Sequence, residues 1–300
     1  MRVIDMHVHM LPDRPESTPQ QFIAELQRSG ISGAAVFSKR PGVPPFQSTP
    51  PIADRATEVL NFCKEYPDAL FPVLYVHPYE ENVIEEAKAA AARGITAFKM
   101  ICNTYYVYEQ KSMDLLSAIA ALGKPVIFHS GILWDGTVSS QYNKPINWEA
   151  LQEIPDLRFS MGHCSWPWID ECIALYGKFL NTYTRRPDIS AEMFFDITPG
   201  TPVIYRRELL TKLYTIGYDV QHNILFGLDN NTSAYNWKRA KNWLSIDKKI
   251  MNTLRISKEA RQFMYCDNFM RFLGKKEKDF THEQLSADSM LKRTNPFRFR

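Results

Sequence analysis

The run Asp5-Met6-His7-Val8-His9, inside MRVIDMHVHM (residues 1–10), sets two histidines one residue apart in an apolar stretch. Val3, Ile4, Met6, Val8 and Met10 suit a buried strand, whose alternation points His7 and His9 to the same side. Two imidazoles on one side of a buried element need polar partners. Residues i and i+2 of a strand lie ~6.6 Å apart along the chain, so both rings can lean toward one ion at ~2.1 Å.

Working outward, seven more β-branched or aromatic runs follow: GAAVFS (33–38), LFPVLYVH (70–77), TAFKMI (96–101), PVIFHS (125–130), LRFSMG (157–162), AEMFFDI (191–197) and NILFGLD (223–229). Amphipathic stretches lie between them. TPQQFIAELQRSG opens with Thr18 as N-cap and Pro19 at the first helical position, and Gly30 closes it. EENVIEEAKAAAARG carries Val83, Ile84, Ala87, Ala90 and Ala91 on one face and ends at Gly94; SMDLLSAIAALG ends at Gly123 in the same way. Eight strands alternating with helices predict an α/β fold, a (β/α)8 TIM barrel, with a closing helix over 257–273. The barrel takes residues 1–274, and 275–300 form a basic C-terminal extension. No GxGxxG or P-loop follows a strand, which disfavours a doubly wound nucleotide-binding sheet.

The chain of 300 residues, 45% hydrophobic, is long enough to bury a large core. Its net charge of +3 comes from the extension, leaving 29 basic and 29 acidic residues in the body, so no nucleic-acid footprint is expected. Cys63, Cys102, Cys164, Cys172 and Cys266 are odd in number and lack CxxC spacing, which predicts buried or half-buried reduced thiols rather than a disulfide framework or a zinc ribbon. With no signal-peptide pattern and no apolar run near ~18 residues, a cytoplasmic protein without a membrane partner is expected.

The polar exceptions gather at strand ends. His7 and His9 end strand 1, Lys99 stands near the end of strand 4, His129 ends strand 5, His163 follows strand 6 and Asp229 ends strand 8. In a barrel those C-terminal ends converge on one pocket. Asp229 adds a carboxylate to the two imidazoles of strand 1, a mixed N/O set suited to Zn²⁺ and related metals. His77, His222 and His282 read as structural. The loop 39–53, with five prolines, reads as a substrate wall or lid or as an idle surface loop. Tyr105, Tyr106, Trp134, Trp166 and Trp168 follow strands 4 to 6 and suggest aromatic pocket walls, or packing against barrel helices.

DMHVH, FKM, FHSG, MGHCS, FGLD and the ending DNFMRFLG together resemble the amidohydrolase superfamily over residues 1–274, and within it the amidohydrolase-2 branch that includes the aminocarboxymuconate semialdehyde decarboxylase-like enzymes. The resemblance implies a metal at the strand C-termini, with His7, His9, His129 and Asp229 as ligands and His163 polarising or protonating the substrate. It implies one ion, with Lys99 a plain cation near the substrate. In binuclear relatives the equivalent lysine is carboxylated and bridges two metals. The family's strand-8 motif often continues to a proline, where this chain has Asn230-Asn231-Thr232.

The function expected is that of a metal-dependent hydrolase. Metal-activated water would attack an amide, lactone or ester of a small molecule, with Asp229, His163 and Lys99 as catalytic residues. A non-oxidative decarboxylase, with Lys99 and Arg40 holding a carboxylate, is the alternative, and a non-catalytic binding barrel a remoter one. The terminal Pro296-Phe297-Arg298-Phe299-Arg300 could serve a homo-oligomer contact.

Overall fold

The structure, a computed structural model, describes residues 1–11, 16–41, 50–200 and 202–275. The strands are β1 (Ile4–His9), β2 (Gly33–Phe37), β3 (Leu70–Tyr75), β4 (Ala97–Met100), β5 (Val126–Phe128), β6 (Arg158–Met161), β7 (Glu192–Asp196), β8 (Ile224–Leu225) and β9 (Asn230–Asn231). The helices are α1 (Pro19–Ser29), α2 (Ile52–Cys63), α3 (Val83–Ala92), α4 (Gln110–Ala121), α5 (Ile169–Arg185), α6 (Ile204–Thr215), α7 (Trp237–Thr253), α8 (Lys258–Gln262) and α9 (Asn268–Phe272). All strands are parallel, in the order β8-β7-β6-β5-β4-β3-β2-β1-β9. Seven of the eight expected strands are found as single runs, with helices packed outside them.

Local chemistry explains the starts and stops. Thr18 accepts from the Gln21 amide at 3.2 Å while Gln21 accepts from the Thr18 amide at 3.0 Å, a reciprocal cap that opens α1. Gly30, at φ +85°, ends it in the left-handed region. Between β5 and β6 the chain forms only 3₁₀ segments, Ser140–Asn143 and Pro145–Glu153, with Pro145 opening the second.

The last strand departs from expectation. Instead of one run over 223–229, β8 pairs with β7 and, four residues on, β9 pairs with β1. Between them the Phe226 carbonyl accepts from the Met6 amide at 3.0 Å. The sheet therefore curls into a TIM-barrel-like α/β fold. The interruption has a tertiary cause: Asp5 Oδ1 takes the Leu228 amide at 2.8 Å, the Arg239 guanidinium takes the carbonyls of Leu228 and Asp229, and Asp229 turns to φ +52°.

Inside the sheet, period two stacks core beneath chemistry. Ala97, Ile127 and Phe194 pack in the inner apolar cluster, and two residues on, Lys99, His129 and Asp196 are buried polar residues at the upper end. In β1 the inner residues are Ile4 and Met6, whereas Val3 and Val8 face the helices. Strict alternation from Met6 would send His7 and His9 outward. From Asp5 to Val8, β1 advances three residues while its partner β2 advances two, Ala34 to Val36. That extra residue switches the inward face, and His7 and His9 enter the cavity above Met6.

The opposite end is sealed by the closing segment, read from sequence as one helix over 257–273. It consists of α8, a π-turn over Phe263–Asp267, and α9. Phe269 meets Phe71 edge-on at 5.4 Å and Phe272 meets Phe194 at 5.0 Å. Arg271 holds Glu192 in two bonds of 2.8 and 2.7 Å, and Arg158 donates to the Phe272 carbonyl at 2.9 Å. The five cysteines are buried and free, as expected. Among the described residues no helix is long and apolar enough to cross a membrane. The extension read over 275–300, His282 included, lies outside the described residues apart from Lys275, as do residues 42–49 of the proline-rich loop.

Candidate active site

A cavity of about 330 Å³ opens at the C-terminal strand ends, and His7, His9, Lys99, His129, His163 and Asp229 all line it. Three of the six come together. One ligating atom each from His7, His9 and Asp229 lies within 4.8 Å of the others. Asp229 Oδ1 stands 3.3 Å from His9 Nε2 and 4.0 Å from His7 Nε2. His129 stands apart from that trio, its Nε2 3.2 Å from the Ile132 carbonyl and its ring 5.0 Å from that of His163.

Two carboxylates that the sequence reading passed over organise this cluster. Asp196, fully buried at the end of β7, takes His7 Nδ1 at 2.9 Å on its Oδ2. A carboxylate beneath the apolar run MFFDI was the available signal. Asp5 accepts from the amides of His7 (3.2 Å) and Leu228 (2.8 Å) and from the Tyr235 hydroxyl (2.8 Å), joining the histidine strand to the segment that carries Asp229.

The electrostatics fit metal ligands. Burial, helped by the Lys99 charge, pushes His7 down to about 3, and burial also lowers His9 and His129, so these imidazoles are neutral. Burial raises the Asp229 carboxyl, but the opposing causes, led by the hydrogen bond from His9, outweigh it and hold it well below the usual carboxylate range. With His7 Nδ1 engaged by a carboxylate, Nε2 is the nitrogen left to bind, the arrangement usual for a metal-bound histidine. The donor set therefore fits a divalent ion.

Lys99 is 1% exposed, and its Nζ has no hydrogen-bond partner among the described residues. Burial lowers its pKa to about 8 against the raising fields of Asp196 and Asp229. Leaving an ammonium buried and unpaired costs several kcal/mol in order of magnitude, which marks it as a residue kept for a ligand. Arg40 lines the same cavity from the start of the proline-rich loop.

His163 sits on strained backbone. His163, Cys164 and Ser165 all have positive φ (56°, 44° and 58°), an arrangement costly for side-chain-bearing residues. A clasp between neighbouring loops holds it. Ser130 Oγ donates to the Gly162 carbonyl at 2.7 Å, Ser165 Oγ donates to Ser130 Oγ at 2.9 Å, and the Ile132 amide donates to the Trp166 carbonyl at 2.9 Å.

Of the aromatics, Trp134 and Trp166 line the cavity. Tyr105 is buried beside His77, Tyr106 stacks on Tyr108, and Trp168 lies near Lys144. His77 and His222 are not among the residues lining this cavity.

Solved structures share this architecture. A "probable 2-pyrone-4,6-dicarboxylic acid hydrolase" of Acinetobacter baumannii, with citric acid bound, superposes with a TM-score of 0.60 at 16% identity, over 91% of this chain and 100% of its own. The 2,6-dihydroxybenzoate decarboxylase of Rhizobium gives 0.60 at 12% identity, over 91% and 99%. Dihydroorotase of Campylobacter jejuni gives 0.57 at 16% identity, over 93% and 85%. No curated protein matches this chain in sequence. The amidohydrolase family profile, however, matches residues 4–275, from the first residue of β1 to just past α9. The span takes in His7, His9 and Asp229 together with the fold that gathers them, and the chain belongs to the amidohydrolase family of metal-dependent enzymes.

Proposed function

We propose that this chain is a metal-dependent hydrolase that opens a C–N or C–O bond (amide, lactone or ester) of a small organic substrate, using one divalent ion, Zn²⁺, held by His7, His9, His129 and Asp229. The observation that carries the reading is the meeting of His7, His9 and Asp229 at the cavity floor, from the two ends of the chain. Two neutral imidazoles and a carboxylate suit a borderline first-row cation, and His129 adds a third imidazole from the β5 end. In this reading the sheet closes as a (β/α)8 barrel, with β8 and β9 the halves of one interrupted strand; the bond from Met6 to Phe226 supports closure. A single trio among the described residues favours one ion, with Lys99 unmodified.

When bound, the ion supplies Lewis acidity and brings the pKa of water toward about 7. Asp229, held ionised by its histidine neighbours, accepts the proton of the attacking water on its carboxylate and returns it to the leaving group. His163, anchored through Nδ1 to the Thr198 carbonyl at 3.1 Å, uses Nε2 to steady the oxygen that gains charge. Lys99 pairs with an anionic group of the substrate, which answers its unpaired state.

Lys99 and Arg40 on one cavity also favour a second reading, decarboxylation of a small aromatic or unsaturated acid whose carboxylate they hold. The test is metal analysis of protein purified without chelator, then turnover of lactones, amides, esters and aromatic acids with CO₂ release scored separately. One equivalent of metal and hydrolysis without CO₂ are expected. CO₂ release overturns hydrolysis in favour of decarboxylation; absence of both metal and turnover leaves a binding module.

A further inference from the structure

Asp196 does not line the cavity, yet its carboxylate bears on both histidines that the chemistry needs, on His7 directly and on His163 by way of Thr198. One oxygen, Oδ2, takes His7 Nδ1 at 2.9 Å. The other, Oδ1, takes the Thr198 amide at 2.8 Å, and the carbonyl of that same Thr198 lies 3.1 Å from His163 Nδ1. We infer that Asp196 is a positioning residue that fixes His7 and, through the backbone of Thr198, His163 in the same protonation pattern, Nδ1–H with Nε2 facing the cavity. The part concerning metal rests on the reading above.

The argument is one of donors and acceptors. A carboxylate and a peptide carbonyl only accept, so each facing Nδ1 carries the hydrogen. In a neutral imidazole the other nitrogen then offers its lone pair, for a metal at His7 and for substrate at His163. Asp196 is fully buried, so water does not compete for these bonds. The surroundings leave no slack. A Cβ at Gly227 would meet Thr198 Oγ1 at 2.2 Å and His7 Cβ at 2.9 Å, and one at Gly200 would meet His163 Nδ1 at 2.5 Å. The Cys164 thiol adds a contact of 3.5 Å to the Asp196 carbonyl, tying the strained turn that carries His163 to the same residue. One carboxylate thus couples the geometry of the metal-binding histidine to that of the substrate-facing one.

The experiment labels the full chain with [¹⁵N]histidine and reads long-range ¹H–¹⁵N correlations of the chelator-stripped protein, in parallel with calorimetric Zn²⁺ titration. In the wild type, His7 and His163 are expected as Nδ1–H tautomers. In Asp196→Asn, nearly isosteric, both histidine signals are expected to change together and Zn²⁺ affinity to fall 10- to 100-fold, as for other partners of metal-bound histidines. An Nε2–H tautomer at either residue in the wild type overturns the inference without any variant. So does an Asp196→Asn protein with unchanged histidine signals and wild-type Zn²⁺ affinity. Should the wild type bind no Zn²⁺, the hydrolase reading fails, while the tautomer measurement still decides the role of Asp196.

Discussion

The two ends of the sheet are built on opposite rules. At the lower end Phe71, Phe194, Phe269 and Phe272 interlock, Arg271 pairs with Glu192, and Asn268 donates to the carbonyls of Gln221 and Ile224. The upper end gathers imidazoles, carboxylates and an unpaired ammonium, and tolerates three consecutive left-handed residues. Unmatched polar groups and strained backbone cost stability, so the upper end is supported by the lower. The difference teaches where substitutions should hurt folding and where they should hurt chemistry.

The sharpest way to break that comparison is His7→Ala or His9→Ala. Bound metal should fall from one equivalent to near zero and turnover should disappear in both. The stripped His9→Ala protein should keep its wild-type urea midpoint, a collapse there making His9 structural. His7→Ala should also lose stability, because it leaves the buried Asp196 carboxylate without its imidazole partner. Next in size, Phe272→Ala should remove about 3–5 kcal/mol of stability, the usual cost of emptying an aromatic core site. Denaturant titration measures this, and metal stoichiometry should not change. Gly200→Ala should do the reverse. Its added methyl pushes against His163 Nδ1, and a displacement near 1 Å costs about 100-fold in turnover, with a stability change of about 1 kcal/mol or less. Smallest in its effect on turnover, Lys99→Met should raise stability by about 1–2 kcal/mol by removing a buried unpaired charge. Turnover of an anionic substrate should drop tenfold or more; lower stability would show that Lys99 belongs to the core rather than to the site.

Much of this arrangement could be read from residues alone, because period-two alternation is a local property. It located Lys99 and His129 at strand ends, and the placement of all six site residues around one cavity follows from parallel strands sharing a direction. What escaped the reading depends on contacts distant in sequence. Asp196 is acidic in an apolar strand, but its partner His7 lies 189 positions away. The break between β8 and β9 is imposed by Asp5 and Arg239 on a stretch that by itself looks like one strand. The closing helix was expected to be continuous, and its π-turn at Phe263–Asp267 has no mark in the hydrophobic pattern.

The extra residue in β1 has a consequence for anyone transplanting this site. The His-x-His spacing alone does not aim two rings into a barrel when the residues before it serve the inner core. Ile4 and Met6 occupy the same inward column that His7 and His9 continue, and an uninterrupted strand cannot hold both sets on one side. A graft onto another parallel strand must therefore carry the insertion along with the motif, or trade away the core residues below it. Conversely, the residues between Asp5 and Val8 are Met6 and His7, so removing the extra residue would restore plain alternation only at the cost of one core side chain or one imidazole.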